Sequence, residues 1–241
     1  MRSETIRLFP EASFRQTGIP GWKRVLDLTL ILVLLPGLLL LGAAVALIIK
    51  LGSPGPIFFR QRRVGFKGRE FVCFKFRTMS VNAETDSHRL HFQELIKSQT
   101  RMTKLDERKD PRLVPLAGLL RASGLDELPQ LINVVRGEMS LVGPRPCIPY
   151  ECEAYEPWHW ARFDTVPGLT GLWQVSGKNR TTFEEMVRLD IDYSRRLSLS
   201  LDLWIIVKTL PAIWGQYCDL QSAKRQDSLP RVHRTVDSFS A

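Results

Sequence analysis

The longest apolar segment of the chain covers residues 28–49, where Thr29 is the one mildly polar member. As a straight helix this segment would measure about 33 Å, close to the ~30 Å hydrocarbon core of a bilayer. A single membrane-spanning helix is therefore the default interpretation. Pro36 and Gly37 lie inside the segment. Because proline removes a backbone donor and clashes with the preceding turn, it predicts a break in the helix.

Basic residues flank this apolar segment on both sides: Arg15, Lys23 and Arg24 before it, and Lys50, Arg60, Arg62, Arg63, Lys67 and Arg69 after it. Basic flanks favour the cytoplasmic side of a membrane, so a straight span would violate this rule at one end. A helix bent at Pro36, entering and leaving on the same face, satisfies it at both ends. We therefore favour a re-entrant helix-break-helix over residues 23–51. A kinked span stays the alternative, since proline is tolerated in spanning helices.

Residues 70–79 alternate apolar and polar side chains with period two, which predicts the clearest strand in the chain. Lys75 and Arg77 would share one face of it, opposite Phe74 and Phe76. That face is either solvated or a cationic surface over a phosphate site. The preceding residues 52–65 combine proline and glycine with aromatics and arginines, which indicates turns at the membrane–water interface.

Two adjacent acids, Asp126 and Glu127, lie at the centre of an otherwise largely apolar stretch, residues 120–146. Pro129 is tolerated only in a first helical turn, so we place a helix start at residues 123–126 and its end at Gly137. An acid at a helix N-terminus is usually a simple cap. Here the acids lie between Arg121 and Arg145, and an arginine held between two prolines suits bidentate phosphate binding. This stretch predicts a site for a phosphorylated substrate.

We predict helices near residues 83–98, 182–194 and 198–216, the last either amphipathic at the interface or packed in the core. Residues up to 112 form a predicted loop. Residues 147–163 are rich in aromatics and acids, which indicates a membrane interface or a core edge. Residues 166–180 contain Gly168, Gly171 and Gly177, which predict a backbone that closely approaches another segment.

The net charge of +9 favours anionic partners, namely nucleic acid, an anionic membrane surface or phosphorylated small molecules. Cys147 and Cys152 are close enough in sequence to pair, but reduced thiols in a reducing compartment are the simpler interpretation. His88 and His91 would share a helix face, where they either bind a metal or are solvated.

With these segments in view, the chain resembles the bacterial sugar transferase family, the polyprenyl-phosphate hexose-1-phosphate transferases or monotopic phosphoglycosyl transferases. The resemblance runs from about residue 23 to residue 216. It is carried by the motifs KRVLDL, GSPGPIFFRQRRVG, FKFRTM, DPR, LRASGLDELPQLINVVRGEMSLVGPRP, PGLTGLWQVSG and LSLDLWIIVKT. Many members have a serine before the helix-breaking proline, where this chain has Leu35. Larger members carry additional spanning helices, and we expect this chain to represent the catalytic core alone.

The resemblance implies a covalent reaction. Asp126 would attack the β-phosphate of a UDP-sugar and release UMP, and polyprenol phosphate would then take the sugar phosphate from Asp126. Glu127 would be the partner acid, and Asp126 would ligate Mg²⁺. Arg121, Arg145 and Lys75 would bind phosphate. Asp190 and Asp202 match further acids of the family, whose role the resemblance leaves open.

The resemblance also implies a mixed α/β, mostly helical, monotopic membrane protein at the cytoplasmic face of the bacterial inner membrane. We expect a flexible arm over residues 1–22, the re-entrant helix over 23–51, a catalytic domain with interfacial amphipathic helices and a small sheet over 52–218, and a polar tail over 219–241. The expected partners are a UDP-sugar, polyprenyl (undecaprenyl) phosphate and the membrane, with no nucleic acid. Homo-oligomerisation stays open, as does the identity of the sugar.

Two other classes of function remain as alternatives from the residues alone. A membrane-tethered binding protein would use the basic surface on nucleic acid, with binding that depends on salt and not on Asp126. A membrane hydrolase would cleave the sugar nucleotide without a lipid acceptor. Loss of turnover on replacement of Asp126, together with dependence on the lipid, would separate the transferase from both.

Overall fold

The computed structural model of the chain describes residues 18–79, 90, 92, 94–96, 98, 100, 101 and 116–228. Its α-helices are α1 (Gly21–Gly52), α2 (Ala117–Ser123), α3 (Leu131–Arg136), α4 (Pro149–Cys152), α5 (Leu172–Val175), α6 (Phe183–Arg195) and α7 (Leu199–Ser228). Shorter 3-10 helices cover Phe66–Gly68, Leu125–Gln130, Pro157–Asp164 and Lys178–Arg180. The strands are β1 (Phe58–Val64), β2 (Glu70–Phe76), β3 (Ser140–Val142) and β4 (Gly168–Thr170). The prediction of a mostly helical protein with little sheet is confirmed.

Two small sheets support the helices. Strands β1 and β2 form an antiparallel hairpin in which Phe58 pairs with Phe76 and Val64 pairs with Glu70. Strands β3 and β4 are parallel. Strand β1 was not predicted. Prolines precede it, and its three arginines interrupt the alternation of apolar and polar side chains that would indicate a strand. The hairpin presents Lys75 on its second strand.

Strand β2 is shorter than the predicted strand over residues 70–79, because its partner β1 begins at Phe58, opposite Phe76. Arg77 therefore does not share the face of Lys75. Its guanidinium is buried and donates hydrogen bonds to the carbonyls of Pro54 and Ser53, at 2.6 and 2.9 Å. Arg77 thus fixes the turn that follows α1.

Helix α1 is the one helix, among the residues that the structure describes, long and apolar enough to cross a membrane. It begins at Gly21, two residues before the predicted start, and the helix continues through Pro36. The expected division into two separate helices is therefore corrected to one helix that contains proline. Such a helix is compatible with a monotopic membrane protein, while its re-entrant path stays a prediction.

Both ends of α1 pack against the rest of the protein, and its middle does not. Near the start, Ile31 joins a cluster with Cys73, Val134 and Met139. Near the end, Val45 and Ile49 pack with Phe76 and Leu120. Between these contacts the leucines on either side of Pro36 are exposed, including Leu32, Leu34, Leu39 and Leu40. This exposed apolar segment needs a non-aqueous environment, which a bilayer supplies.

A buried ion pair joins α1 to α7. Lys23 contacts Asp202, and both side chains are almost fully buried. The Lys23 ammonium also donates to the Tyr193 hydroxyl at 2.9 Å, which in turn donates to Asp202 at 2.7 Å. One helical turn along α1, Asp27 accepts from the backbone N–H of Leu141 in β3. The first helix is therefore fixed to the last helix and to the strand that precedes Arg145.

The helices near the C-terminus largely follow the sequence. Helix α6 begins with the predicted capping box, in which Thr182 accepts from the backbone of Glu185 and the Glu185 carboxylate accepts from the backbone of Thr182. Helix α7 does not end near residue 216, because it accommodates Pro211 and continues to Ser228. The first part of the expected tail is therefore helical. His88, His91, the loop ending at residue 112 and residues 1–17 and 229–241 lie outside the described residues.

Two segments approach so closely at Gly143, Gly168 and Gly171 that no side chain would fit at these positions. A Cβ on Gly168 would lie 2.0 Å from the backbone nitrogen of Gly143, and a Cβ on Gly171 would lie 2.2 Å from the carbonyl oxygen of Gly143. The predicted close backbone approach is confirmed for these two positions. Gly177 serves differently, since its φ of 125° is a conformation that other residues rarely adopt.

Replacement of Gly168 by alanine should therefore disrupt the β3–β4 contact and lower the free energy of unfolding by about 2 kcal/mol or more. The matched control is Gly118→Ala on α2, where nothing lies within 4 Å of the added Cβ. That variant should be stabilised by up to about 1 kcal/mol, because alanine favours a helix. Thermal unfolding of the detergent-solubilised protein measures both, and equal midpoints for the two variants would contradict the packing argument.

Candidate active site

The two adjacent acids lie on the 3-10 helix Leu125–Gln130. Helix α2 ends at Ser123 and is followed by Gly124, whose φ of 72° turns the chain. Asp126 and Glu127 then lie in the first turn of the 3-10 helix. The predicted helix start near residues 123–126 and its end at Gly137 (φ 79°) are confirmed. The first six residues are 3-10 and not α-helical, consistent with Pro129 lacking the N–H that an α-helix would use there.

Asp126 is almost buried, with 9% of its surface exposed. Its neighbours Leu125 and Leu128 pack against the cluster that contains Val45 and Ile49 of α1. The segment that carries the acids therefore rests on the C-terminal half of the apolar helix.

Glu127 forms an ion pair with Lys75 of β2, with 2.8 Å between the ammonium nitrogen and the carboxylate oxygen. Burial raises the pKa of Glu127. The positive charges of Lys75, Lys178 and Arg145 outweigh this effect and together lower the pKa to about 2. The Glu127 side chain is still 37% exposed, so water screens part of this attraction. The structure thus brings Glu127 into contact with Lys75 and within the electrostatic influence of Arg145, while their roles in phosphate binding stay predictions.

Arg121 lies on α2, just before the acids, and its Nε donates to the Thr78 hydroxyl at 3.0 Å. Thr78 follows the end of β2, so Arg121 joins the helix before the acids to the strand that carries Lys75. This contact places Arg121 beside the same two elements that hold Glu127 and Lys75. Its role in phosphate binding stays a prediction.

Arg145 projects from a turn in which four consecutive carbonyls each accept a hydrogen bond. The carbonyl of Pro144 accepts from Gly168 at 2.9 Å, and that of Cys147 accepts from Val64 at 2.8 Å. The carbonyl of Arg145 accepts from the Arg162 guanidinium at 3.1 Å, and that of Pro146 accepts from the Arg63 guanidinium at 3.0 Å. The rigid presentation that the flanking prolines predicted is therefore reinforced by two buried arginines, which sequence reasoning did not find.

Asp190 and Asp202 both lie in buried ion pairs. Asp190 contacts Arg162, and burial raises the pKa of Asp190 to about 6 although Arg162 opposes the shift. Asp202 contacts Lys23 of α1. Both acids therefore hold elements of the fold together, and Asp190 does so through the arginine that supports the Arg145 turn.

Lys178 is a cation that sequence reasoning missed. It lies in the glycine-containing segment after Gly177, with a φ of 40°, and its ammonium donates to Gln216 of α7 at 2.9 Å. Its charge contributes to the low pKa of Glu127. The signal available in the sequence was Gly177, which indicated a special backbone at this position without assigning the lysine a role.

A magnesium ion would have to be held by few protein ligands. Among the residues described, no three His, Cys, Asp or Glu side chains gather into a metal-binding group. Mg²⁺ commonly binds through one or two carboxylates together with substrate phosphates and water. Asp126 with the neighbouring Glu127 fits that pattern, and magnesium binding here stays a prediction.

The two nearby cysteines are free thiols. Cys147 and Cys152 are both buried, and their sulfurs lie 3.0 Å apart. The hydrogen bond between the Cys147 and Cys152 sulfurs, together with burial, raises the pKa of the Cys152 thiol well above its usual value. Because the thiolate is the reactive form, this thiol is unreactive. The prediction of reduced thiols agrees with the structure.

A model of the bacterial sugar transferase family matches residues 19–216. The exopolysaccharide production protein ExoY of Sinorhizobium fredii is 40% identical over 198 residues, which cover 79% of this chain and 84% of that protein. The chain belongs to the bacterial sugar transferase family.

Two further relatives are longer proteins. The UDP-glucose:undecaprenyl-phosphate glucose-1-phosphate transferase of Xanthomonas campestris pv. campestris is 40% identical over 228 residues, which cover 89% of this chain and 44% of that protein. The UDP-galactose-lipid carrier transferase of Erwinia amylovora is 42% identical over 182 residues, which cover 73% of this chain and 37% of that protein. The chain thus spans less than half the length of these two relatives.

The Lys75–Glu127 pair leads to a pH prediction. A carboxyl whose folded pKa is lowered to about 2 stays ionised above its usual pKa of 4.5 and loses the benefit of Lys75 only as the pH falls through about 2. In Lys75→Gln the largest opposition to burial is lost, while Lys178 and Arg145 still lower the pKa of Glu127, so this pKa should rise above its wild-type value. As the pH is lowered, the variant should therefore lose kcat/KM at a higher pH than the wild type.

The matched control is Arg62→Gln, which removes one positive charge from the same hairpin at a side chain that is 79% exposed. The pH profile of this control should follow that of the wild type. A Lys75→Gln profile parallel to both would show that Lys75 does not set the ionisation of Glu127.

Proposed function

We propose that the chain transfers a hexose 1-phosphate from a UDP-sugar to polyprenyl (undecaprenyl) phosphate through a covalent phosphosugar–Asp126 intermediate, with release of UMP. This would be the first membrane step in the synthesis of an exopolysaccharide or another surface glycan. The observation that carries the proposal is that buried Asp126 directly precedes Glu127, which pairs with Lys75, on a segment whose Leu125 and Leu128 pack against α1. The names of the relatives, which specify lipid-linked transfer of glucose or galactose, support it.

In the first step a carboxylate oxygen of Asp126 attacks the β-phosphorus of the UDP-sugar. The bond from that phosphorus to the bridging oxygen breaks, UMP leaves with the bond electrons, and the sugar phosphate stays on Asp126 as an acyl phosphate. Lys75, Arg121 and Arg145 bind phosphate oxygens, because two negatively charged reactants must be brought into contact. Arg145 suits this role best, since its turn is held at four carbonyls.

In the second step an oxygen of polyprenyl phosphate attacks the phosphorus on Asp126 and frees the carboxylate. Glu127 accepts the remaining proton of the lipid phosphate. With its pKa held at about 2 it would be a weak base, but that value depends on Lys75. When Lys75 turns to a substrate phosphate, it releases Glu127, whose pKa then rises towards the range where it accepts the proton.

Magnesium would be held by Asp126 together with the substrate phosphates. When bound, the ion would offset phosphate charge and make the leaving UMP more stable. Arg121, Arg145 and Lys75 provide the same kind of charge from the protein itself. Removal of divalent ions with a chelator is therefore expected to abolish turnover while leaving the thermal midpoint unchanged.

Because the UDP-sugar comes from the cytoplasm and the acceptor is a membrane lipid, we place the site at the cytoplasmic face of the inner membrane. Both ends of α1 return to the same body of the protein, and the segment around Pro36 is exposed and apolar. A helix that dips into one leaflet and returns would give this pattern. Packing at the C-terminal half of α1 then brings Asp126 close to the lipid headgroups.

The nucleophile is tested by Asp126→Asn. The amide cannot form the acyl phosphate, so release of UMP should fall by more than about 10³-fold. The matched control is Asp192→Asn, an exposed acid on α6 that pairs with Arg196 and should not affect turnover. UMP release is measured across a panel of UDP-sugars, beginning with UDP-glucose and UDP-galactose, with and without undecaprenyl phosphate.

Each result of this assay has a distinct meaning. Retained turnover in Asp126→Asn would refute the covalent mechanism. Multiple turnovers without the lipid would identify a hydrolase instead of a transferase. With radiolabelled sugar and no lipid, the wild type should retain label on the protein, and Asp126→Asn should not.

The membrane path of α1 is tested by cysteine labelling from either side of the membrane. Cys218 is exposed and reports the side on which the α7 helix lies, while Cys73, Cys147 and Cys152 are buried. In a Cys218→Ser background, Gly18→Cys and Phe66→Cys should both react from that same cytoplasmic side. Reaction of Gly18→Cys from the periplasm would show that α1 spans the membrane.

A further inference from the structure

Glu151 of α4 is a fully buried carboxylate that the proposed reaction does not use. One oxygen, Oε2, accepts from the backbone of Ile148 at 3.1 Å and lies 3.4 Å from Nη1 of Arg145. The other oxygen, Oε1, is buried and has no hydrogen-bond partner. Arg145 itself is 27% exposed, so one side of its guanidinium meets Glu151 while the rest can reach a ligand.

A second buried acid reaches Arg145 from the backbone side. Asp190 of α6 contacts Arg162, and neither side chain is more than 1% exposed. Arg162 donates to the carbonyl of Arg145 at 3.1 Å and to the Tyr155 hydroxyl at 2.6 Å. Glu151 therefore fixes the guanidinium of Arg145, and Asp190 fixes its main chain through Arg162.

The residues around the Arg145 turn carry both positive and negative charges. Three guanidiniums, from Arg63, Arg145 and Arg162, surround the turn, and two carboxylates, from Glu151 and Asp190, accompany them. Buried charges are costly unless they are paired, and a pair holds its partner in one direction. The group keeps an excess of positive charge, which Arg145 presents towards the surface.

We propose that Glu151 and Asp190 are positioning residues for Arg145, which aim its guanidinium at the diphosphate of the sugar nucleotide. This inference rests on the proposed function, because it assigns Arg145 a substrate phosphate. Glu151 acts directly on the guanidinium. Asp190 acts through Arg162 on the carbonyl of the same residue. Neither acid touches the substrate.

A double-mutant cycle tests whether the acids act through the arginine. Glu151→Gln keeps the shape of the side chain and removes its charge, and it should lower kcat/KM for the UDP-sugar by about tenfold or more. In an Arg145→Ala background the same change should cost less than about twofold, because nothing remains to be aimed. Asp190→Asn should show the same dependence on Arg145, and the exposed Asp192→Asn serves as its matched control.

Chemical rescue supplies a readout that a purely structural role would not affect. Millimolar guanidinium should restore part of the turnover of Arg145→Ala, because the ion can bind between Glu151 and the substrate phosphate. The same addition should not help Arg145→Ala/Glu151→Gln. Thermal midpoints of all variants are measured in parallel, so that rates are compared per folded molecule.

The outcomes separate this inference from the proposed function. Multiplicative losses in the cycle, or equal rescue with and without Glu151, would overturn the positioning role. Either result overturns the positioning role alone, provided that the wild type still releases UMP. A wild type that releases no UMP from any UDP-sugar would refute the proposed function itself. Non-additive losses together with rescue that requires Glu151 support the inference.

Discussion

The arrangement of the site depends on the turn of residues 144–147, in which four successive carbonyls accept hydrogen bonds from three different elements of the fold. The donors come from β1, from the 3-10 helix Pro157–Asp164 and from β4. Two prolines leave the turn with few donors of its own. Because so many segments meet there, the position of Arg145 is determined by the fold as a whole. The tight contact among Gly143, Gly168 and Gly171 brings these segments close enough to make the bonds.

Features encoded by a few neighbouring residues were predicted from the sequence. The capping box at Thr182, the helix end at Gly137 and the placement of Asp126 and Glu127 at a helix start follow from local chemistry. The pair between Lys75 and Glu127 was anticipated only as two charges suited to one ligand. The structure adds that they contact each other, which couples the ionisation of the acid to the position of the lysine.

Features that depend on distant contacts were not predicted. Strand β1 exists because β2 lies beside it, and Arg77 turns inward because the strand ladder has ended. Glu151 and Arg162 lie in a segment whose aromatic residues indicated either a membrane interface or a core edge, and both side chains are fully buried. Helical periodicity cannot show that such charges will be paired across the fold. Pro36 was interpreted as a break, whereas the helix accommodates it.

The buried contact between Lys23 and Asp202 joins residues that lie 179 positions apart in the chain. Lys23 is made before α7 and has no Asp202 beside it until that helix exists. An unpaired buried ammonium is costly, so burial of Lys23 is favourable only once Asp202 is in place. The attachment of α1 to the rest of the protein therefore depends on a helix that the chain supplies only near the end of the described residues.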